Sequence, residues 1–192
     1  MKDIDNSDKS NSFKVKNLDE ITNTKDNGNV KFVLLGNDLA GKTANSKYLF
    51  GRYFELGFYP ILINGLDIGG NIRSEAIQKL IEDKISEQCE KQFQLDDIEK
   101  IKAIVIIDDF HKANKGKSKF WPHLMNNIEE VIPNIIVTGN SLMPMENINK
   151  EDPFKDFGVY SILEFDPKFR YELVNKWNTI GIESRFIDQN HY

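Results

Sequence analysis

Apolar positions along the chain fall into short blocks separated by stretches of helical periodicity. Asn29–Leu35 (NVKFVLL) is a compact apolar run that reads as a buried strand. Lys42–Leu56 is helical in composition and stops at Gly57, a residue suited to the left-handed position that ends a helix. Tyr59–Asn64 (YPILIN) is a second strand. Ile72, Ala76, Ile77, Leu80, Ile81, Ile85, Cys89 and Phe93 then recur at spacings of three and four, which places them on one face of a long helix. Lys102–Asp108 (KAIVIID) is the most apolar strand. Lys119–Val131 reads as a helix with Leu124, Ile128 and Val131 inward, and Asn134–Thr138 (NIIVT) as a fourth strand. Residues 141–157, with Pro144 and Pro153, read as a long irregular loop. Val159–Phe165 is a fifth strand. Pro167–Thr179 is a last helix, opened by a proline whose missing N–H costs nothing there.

Strands that alternate with helices, and that are nearly continuous in apolar character, indicate parallel strands buried on both faces. Right-handed crossovers then put helices on both sides. The expected fold is α/β: three layers, with a mainly parallel five-stranded sheet between helices on both faces. Ligands of such sheets bind at the carboxyl ends of the strands. Residues 1–28 are polar and read as a disordered leader, with a short structured piece near Phe13–Ile21. Residues 29–180 form the expected core, and 181–192 a tail leading toward a downstream region.

Composition narrows the class. The 192 residues suffice for one domain; 40% are hydrophobic and 29% charged, as in ordinary globular proteins. The net charge of −5 argues against a protein built mainly to coat nucleic acid, without excluding a local basic patch, and nucleic acid is not an expected partner. Cys89 is the single cysteine, so no disulfide can form within the chain, and a reducing compartment is expected. The start of the chain lacks the apolar stretch of a signal peptide, and no run approaches the ~18 apolar residues that span a bilayer. A cytoplasmic protein without membrane contact is expected.

Candidate chemistry lies at two strand ends. Gly36-Asn37-Asp38-Leu39-Ala40-Gly41-Lys42-Thr43 fits G-x-x-x-x-G-K-[ST] at every position, after a strand and before a helix. The glycines let the backbone approach a phosphate, successive N–H groups point at its oxygens, and the helix adds its positive end. Residues Gly36 to Ala44 are the expected nucleotide contacts, with Lys42 bridging the β- and γ-phosphates and the Thr43 hydroxyl on Mg²⁺. The charge of Asp38 opposes phosphate, so its side chain is expected to point outward. The second strand end, Ala103-Ile104-Val105-Ile106-Ile107-Asp108-Asp109, carries paired carboxylates. Asp108 is expected on the Mg²⁺ side, through water, and Asp109 to polarise the attacking water. At the end of NIIVTGN, Thr138 and Asn140 are candidates to sense the γ-phosphate, with Asn140 preferred.

Competing strings exist. Asp67-Ile68-Gly69-Gly70 and Asn149-Lys150-Glu151-Asp152 match a GTPase, but Asp67 follows Lys42 too closely and the second string does not end an apolar strand. That reading also leaves Asp108 without a role, so ATP is preferred over GTP. A small-molecule kinase would need an arginine-rich lid, and none is evident. Lys112, Lys115, Lys117 and Lys119 cluster after the acids and read as a solvated loop, with contact to nucleic acid or to a partner domain as the alternative.

With these residues placed, the chain resembles the STAND NTPases, signal-transduction ATPases of the additional-strand class related to AAA+ proteins. The matching pieces are GNDLAGKT, FELGFYPILINGLDI, AIVIIDDFHKA, NIIVTGN and ILEFDPKFRYELVNKW, spread over residues 29–180. The nearest flavour is the bacterial type fused to effector domains in defence systems. The resemblance implies Mg²⁺-dependent ATP binding and slow hydrolysis that drive a conformational or oligomerisation switch. It also implies a strand between the loop-bearing and acid-bearing strands. The family continues with further domains where this chain stops at Tyr192, so a protein partner, or self-association through a missing C-terminal region, is expected. Arg170 and Arg185 are the candidates for an arginine finger, with Arg170 expected on the surface of the last helix, and an arginine supplied in trans would be needed for fast turnover. A module that signals by ATP occupancy, with little turnover, is the alternative.

Overall fold

A computed structural model describes residues 18–22, 29–88, 102–113, 120–140, 154–163 and 167–187, with side chains given only to residue 179 in the last segment. The elements in order are α1 (Leu18–Thr22), β1 (Lys31–Leu35), α2 (Lys42–Glu55), β2 (Tyr59–Asn64), α3 (Ser74–Gln88), β3 (Ala103–Asp108), α4 (Phe120–Val131), β4 (Ile135–Gly139), β5 (Gly158–Ser161) and α5 (Pro167–Ile187). Short 3₁₀ turns, Gly65–Asp67 and Phe110–Lys112, follow β2 and β3.

The strands form one sheet in the order β2-β3-β4-β1-β5, and every pair is parallel. The expected α/β fold is therefore present. β4 lies between the loop-bearing β1 and the acid-bearing β3, in register Lys31 with Ile135 on one side and Val105 with Ile135 on the other. All six residues of β3 and all five of β4 are buried, because helices cover both faces. On one face Val33, Ile61, Ile63, Val105 and Ile107 meet Ile77, Ile81 and Ile85 of α3 and Leu124, Met125 and Ile128 of α4. On the other, Phe32, Leu34, Ile104, Ile106 and Ile136 meet Leu49 and Tyr53 of α2 and Ile21 of α1. Each such side chain contributes roughly 1.5–3 kcal/mol of burial.

Residues 18–22 of the polar leader are thus held to the core. Ile21 is buried, and Asp19 pairs with Arg52 at 3.0 Å and accepts from the Tyr48 hydroxyl at 2.9 Å. The outer edge of β2 is protected in two ways. Pro60 has no N–H to offer there, and the Gln88 amide bonds both the N–H (3.1 Å) and the carbonyl (2.8 Å) of Leu62.

Two element ends differ from expectation. β5 spans Gly158–Ser161 rather than 159–165. Its partner β1 ends at Leu35, whose carbonyl accepts from Ile162 N–H at 2.7 Å; Gly36 then turns away and bonds Gly139. Glu164 and Phe165 of the expected strand, and residues 141–153 of the expected loop, lie outside the described residues. α5 runs to Ile187 rather than stopping at Thr179. Gly181 costs a helix only about 1 kcal/mol, and no proline follows within it. Cys89, Phe93, Lys115, Lys117, Lys119, Asn149–Asp152 and the side chain of Arg185 lie outside the described residues.

Candidate active site

Residues 36–41 connect β1 to α2 and fold back on themselves. Leu39 and Gly41 both take left-handed backbone conformations (φ 65° and 88°), and Ala40 N–H bonds Asn37 O at 3.1 Å. Consecutive amides so arranged make an anion-binding concavity beside the start of a helix. A side chain at Gly36 would be crowded: a Cβ there would come within 3.1 Å of Ala40 Cβ and 3.3 Å of Ile162. The Lys42 ammonium is buried and bends back over the loop, donating to Gly36 O (3.2 Å) and Asn37 O (3.0 Å). Thr43 and Ala44 are exposed on the first turn of α2.

Asp108 ends β3 and is buried. Its Oδ1 accepts from two hydroxyls, Ser46 Oγ at 3.0 Å and Thr138 Oγ1 at 2.7 Å. Both bonds fall on Oδ1, which leaves the lone pairs of Oδ2 for other donors. Asp109 is in the left-handed region (φ 54°), unusual for a residue other than glycine. Three contacts hold it there. Its N–H donates to Thr138 Oγ1 (3.1 Å), and its Oδ2 accepts from Lys112 Nζ at 2.6 Å. The third is with Gly65: a Cβ on that residue would sit 2.3 Å from the Asp109 carbonyl oxygen. Pairing with Asp109 raises the pKa of Lys112.

His111, two residues on, has its pKa lowered, first by burial; the charge of Asp109 opposes this, and that of Lys42 adds to it. Its Nδ1 is buried without a hydrogen-bond partner among the described residues. The Asn140 amide donates to Asp38 Oδ1 at 3.4 Å, and Asp38, though exposed, lies 3.8 Å from Lys42 Nζ. The outward-pointing acid of the loop thus has contacts.

The loop, both acids, Thr138 and Asn140 therefore converge at the carboxyl ends of β1, β3 and β4. Asp67 does not join them: it lies beyond the end of β2, an outer strand, and pairs with Lys84 at 3.0 Å. Arg170 is exposed on α5. Sequence reasoning missed Ser46, Gly65 and the Lys112–Asp109 pair. Ser46 carried a signal: it interrupts the buried stripe Lys42, Ser46, Leu49, Tyr53 of α2, and a serine there needs a buried partner. Among the described residues no group of three or more His, Cys, Asp or Glu could hold a metal ion. None of the described helices is long and apolar enough to cross a membrane.

The fold as a whole is similar to known structures. The ORC1 protein of Aeropyrum pernix, in complex with DNA, is 16% identical over 84% of this chain and 46% of its own, with a TM-score of 0.50. Drosophila ORC bound to GC-rich DNA and Cdc6 is 13% identical over 83% of this chain and 29% of its own, with a TM-score of 0.53. The fold is that of the AAA+ P-loop ATPases. DnaA of Aquifex aeolicus bound to AMPPCP is 13% identical over 82% of this chain and 47% of its own, with a TM-score of 0.49. The chain spans less than half the length of each of these AAA+-type structures. No protein-family model matches it, and no curated protein matches it by sequence.

One expectation is corrected here. The net charge argued against nucleic acid as a partner, yet two proteins with this AAA+ fold were solved on DNA. A net charge of −5 is a sum over the whole chain and does not describe any one local surface.

Proposed function

We propose that this AAA+-type chain binds ATP with Mg²⁺ and hydrolyses it slowly, using the occupancy of the site as a switch of the STAND type. The observation that carries this reading is the Ser46–Asp108 hydrogen bond. It fastens the helix of the phosphate loop, one turn after Lys42, to the acidic end of β3. In this reading the loop amides and Lys42 bind the phosphates, and Lys42 leaves Gly36 O and Asn37 O to do so. Bound Mg²⁺ would neutralise phosphate charge. The available donors fit that ion: the Thr43 hydroxyl and Asp108 Oδ2 are hard oxygen ligands, too few for a full protein cage, as suits an ion that keeps its waters and its substrate's oxygens. Asp109 takes the proton of the attacking water. Asn140 and Thr138 face the γ-phosphate side.

Lys42→Ala should abolish nucleotide binding. Asp109→Asn should spare binding and lower turnover on the order of 10²-fold or more. ATP should compete better than GTP. A folded wild-type chain with no Lys42-dependent nucleotide binding would sink the proposal. One observation favours the second reading, binding with little turnover: Lys112 already occupies Asp109 Oδ2 in a 2.6 Å ion pair, so a water would have to compete for that oxygen. Phosphate release with and without self-association separates the two readings. A cytoplasmic location is part of the proposal, and so is a protein partner or second copy that supplies an arginine. DNA also stands as a partner class, testable by anisotropy of a labelled duplex.

A further inference from the structure

An acid inside a phosphate-binding loop opposes the loop's own purpose, and Asp38 is the only acidic residue between Gly36 and Thr43. Its carboxylate is not idle. Oδ1 lies 3.4 Å from the Asn140 amide nitrogen and 3.8 Å from the Lys42 ammonium. These are two of the groups assigned above to the terminal phosphates. Asp38 sits in the turn closed by Ala40 N–H on Asn37 O, so its backbone belongs to the anion-binding curve while its side chain reaches across the mouth to β4. The field of the same carboxylate reaches His111, as does that of Lys42, so these charges share one small region.

We infer that Asp38 is a specificity-determining residue for the phosphate chain. Its carboxylate stands in for a terminal phosphate oxygen on Lys42 and Asn140, and it weakens triphosphate binding more than diphosphate binding. The inference rests on the ATP-binding reading. Two effects act in one direction. The carboxylate must give up Lys42 and Asn140 when a γ-phosphate arrives, and it then stays beside that phosphate as a like charge. A diphosphate brings one charge fewer and leaves Asn140 to Asp38. At separations of about 5 Å in a largely solvated mouth, one unit of like charge is worth roughly a fivefold to tenfold change in affinity. The effect is screened by salt. The consequence is a site that favours triphosphate over diphosphate less than its loop alone would.

The test titrates the full chain with Mg²⁺ and either a non-hydrolysable ATP analogue or ADP. Asp38→Asn keeps the size and removes the charge; Asp38→Ala removes the contact as well. At 85% side-chain exposure neither should disturb folding, which a thermal melt checks. Both should tighten the ATP analogue about tenfold and ADP about threefold or less, and the gain should shrink in high salt. Combined with Asn140→Ala, the preferential gain for the triphosphate should fall, as coupled residues require. If wild type binds nucleotide through Lys42 but Asp38→Asn tightens both nucleotides equally or neither, the inference fails and the binding site stands. If the folded wild type binds neither nucleotide, or binds as well without Lys42, the phosphate-loop reading fails and takes the inference with it.

Discussion

Gly65→Ala tests whether the backbone around Asp109 is built by contacts outside both nucleotide motifs. Gly65 opens the turn after β2, and a Cβ placed on it would lie 2.3 Å from Asp109 O, 2.9 Å from Asp109 C and 3.2 Å from Phe110 Cα. All three atoms are backbone, so no side chain can rotate away. Ordinary carbon–oxygen contact needs about 1 Å more, and relief requires the turn of β2 to separate from the turn of β3. Such overpacking costs about 1–3 kcal/mol. The upper half of that range applies, because Asp109 already holds a left-handed conformation that depends on its neighbours. At about 2–4 °C per kcal/mol for a chain of this size, a loss of 2–3 kcal/mol lowers Tm by roughly 4–12 °C. A thermal melt followed by circular dichroism measures it. Phosphate release under saturating ATP should fall more than ATP affinity, because the displaced residue is Asp109 and the loop at Gly36–Thr43 is untouched. A variant that melts within 1 °C of wild type with unchanged turnover would refute the idea that Gly65 sets the place of Asp109.

Other outcomes follow from the same geometry. Thr138→Val keeps the volume but leaves Asp109 N–H and buried Asp108 each one partner short, so it should destabilise by about 3 kcal/mol, read as a lower urea midpoint with unchanged slope; a loss under 0.5 kcal/mol contradicts it. Leu39→Gly should stabilise by roughly 0.5–1 kcal/mol: the fully exposed leucine loses no packing, and relief of its positive φ outweighs the added freedom of the unfolded chain. A lower melting temperature would count against this. His111 has a lowered pKa in the fold and an ordinary value near 6.5 when unfolded. The unfolded chain therefore binds the extra proton first, and stability should drop as pH falls through about 6.5. His111→Gln should show a shallower loss between pH 7 and 5, and parallel profiles would dismiss the role.

Much of the site was readable because its chemistry constrains residue types at fixed spacing. GNDLAGKT and IVIIDD each need particular letters, and each followed an apolar run long enough to be a strand. The parallel sheet was readable for a related reason: strands buried on both faces cannot afford polar alternation. What escaped was set by distance in the chain. Ser46 meets Asp108 across 62 residues, and Asn140 meets Asp38 across 102. Gly65 looked like a turn residue, and only packing shows that its missing Cβ makes room for Asp109. The short β5 depended on where β1 ends, a property of its partner rather than of its own apolar run.

The two adjacent acids end up in different states because different elements hold them. Asp108 stays in the strand, in register with Asn64 of β2, and its charge is met by hydroxyls from α2 and β4. Asp109 leaves the strand, and its charge is met by a lysine three residues on. Neutral donors stabilise a carboxylate without removing it from a hydrated cation, whereas an ammonium at 2.6 Å competes with any water the carboxylate is to deprotonate. Under the proposed function, ligand binding and turnover thus fall under separate control. Changes at Ser46 or Thr138 should act on stability and on the loop's attachment, and changes at Lys112 on turnover. Thr138 hydrogen-bonds both acids, accepting from the Asp109 N–H and donating to Asp108, so through it the position of either acid is felt by its neighbour.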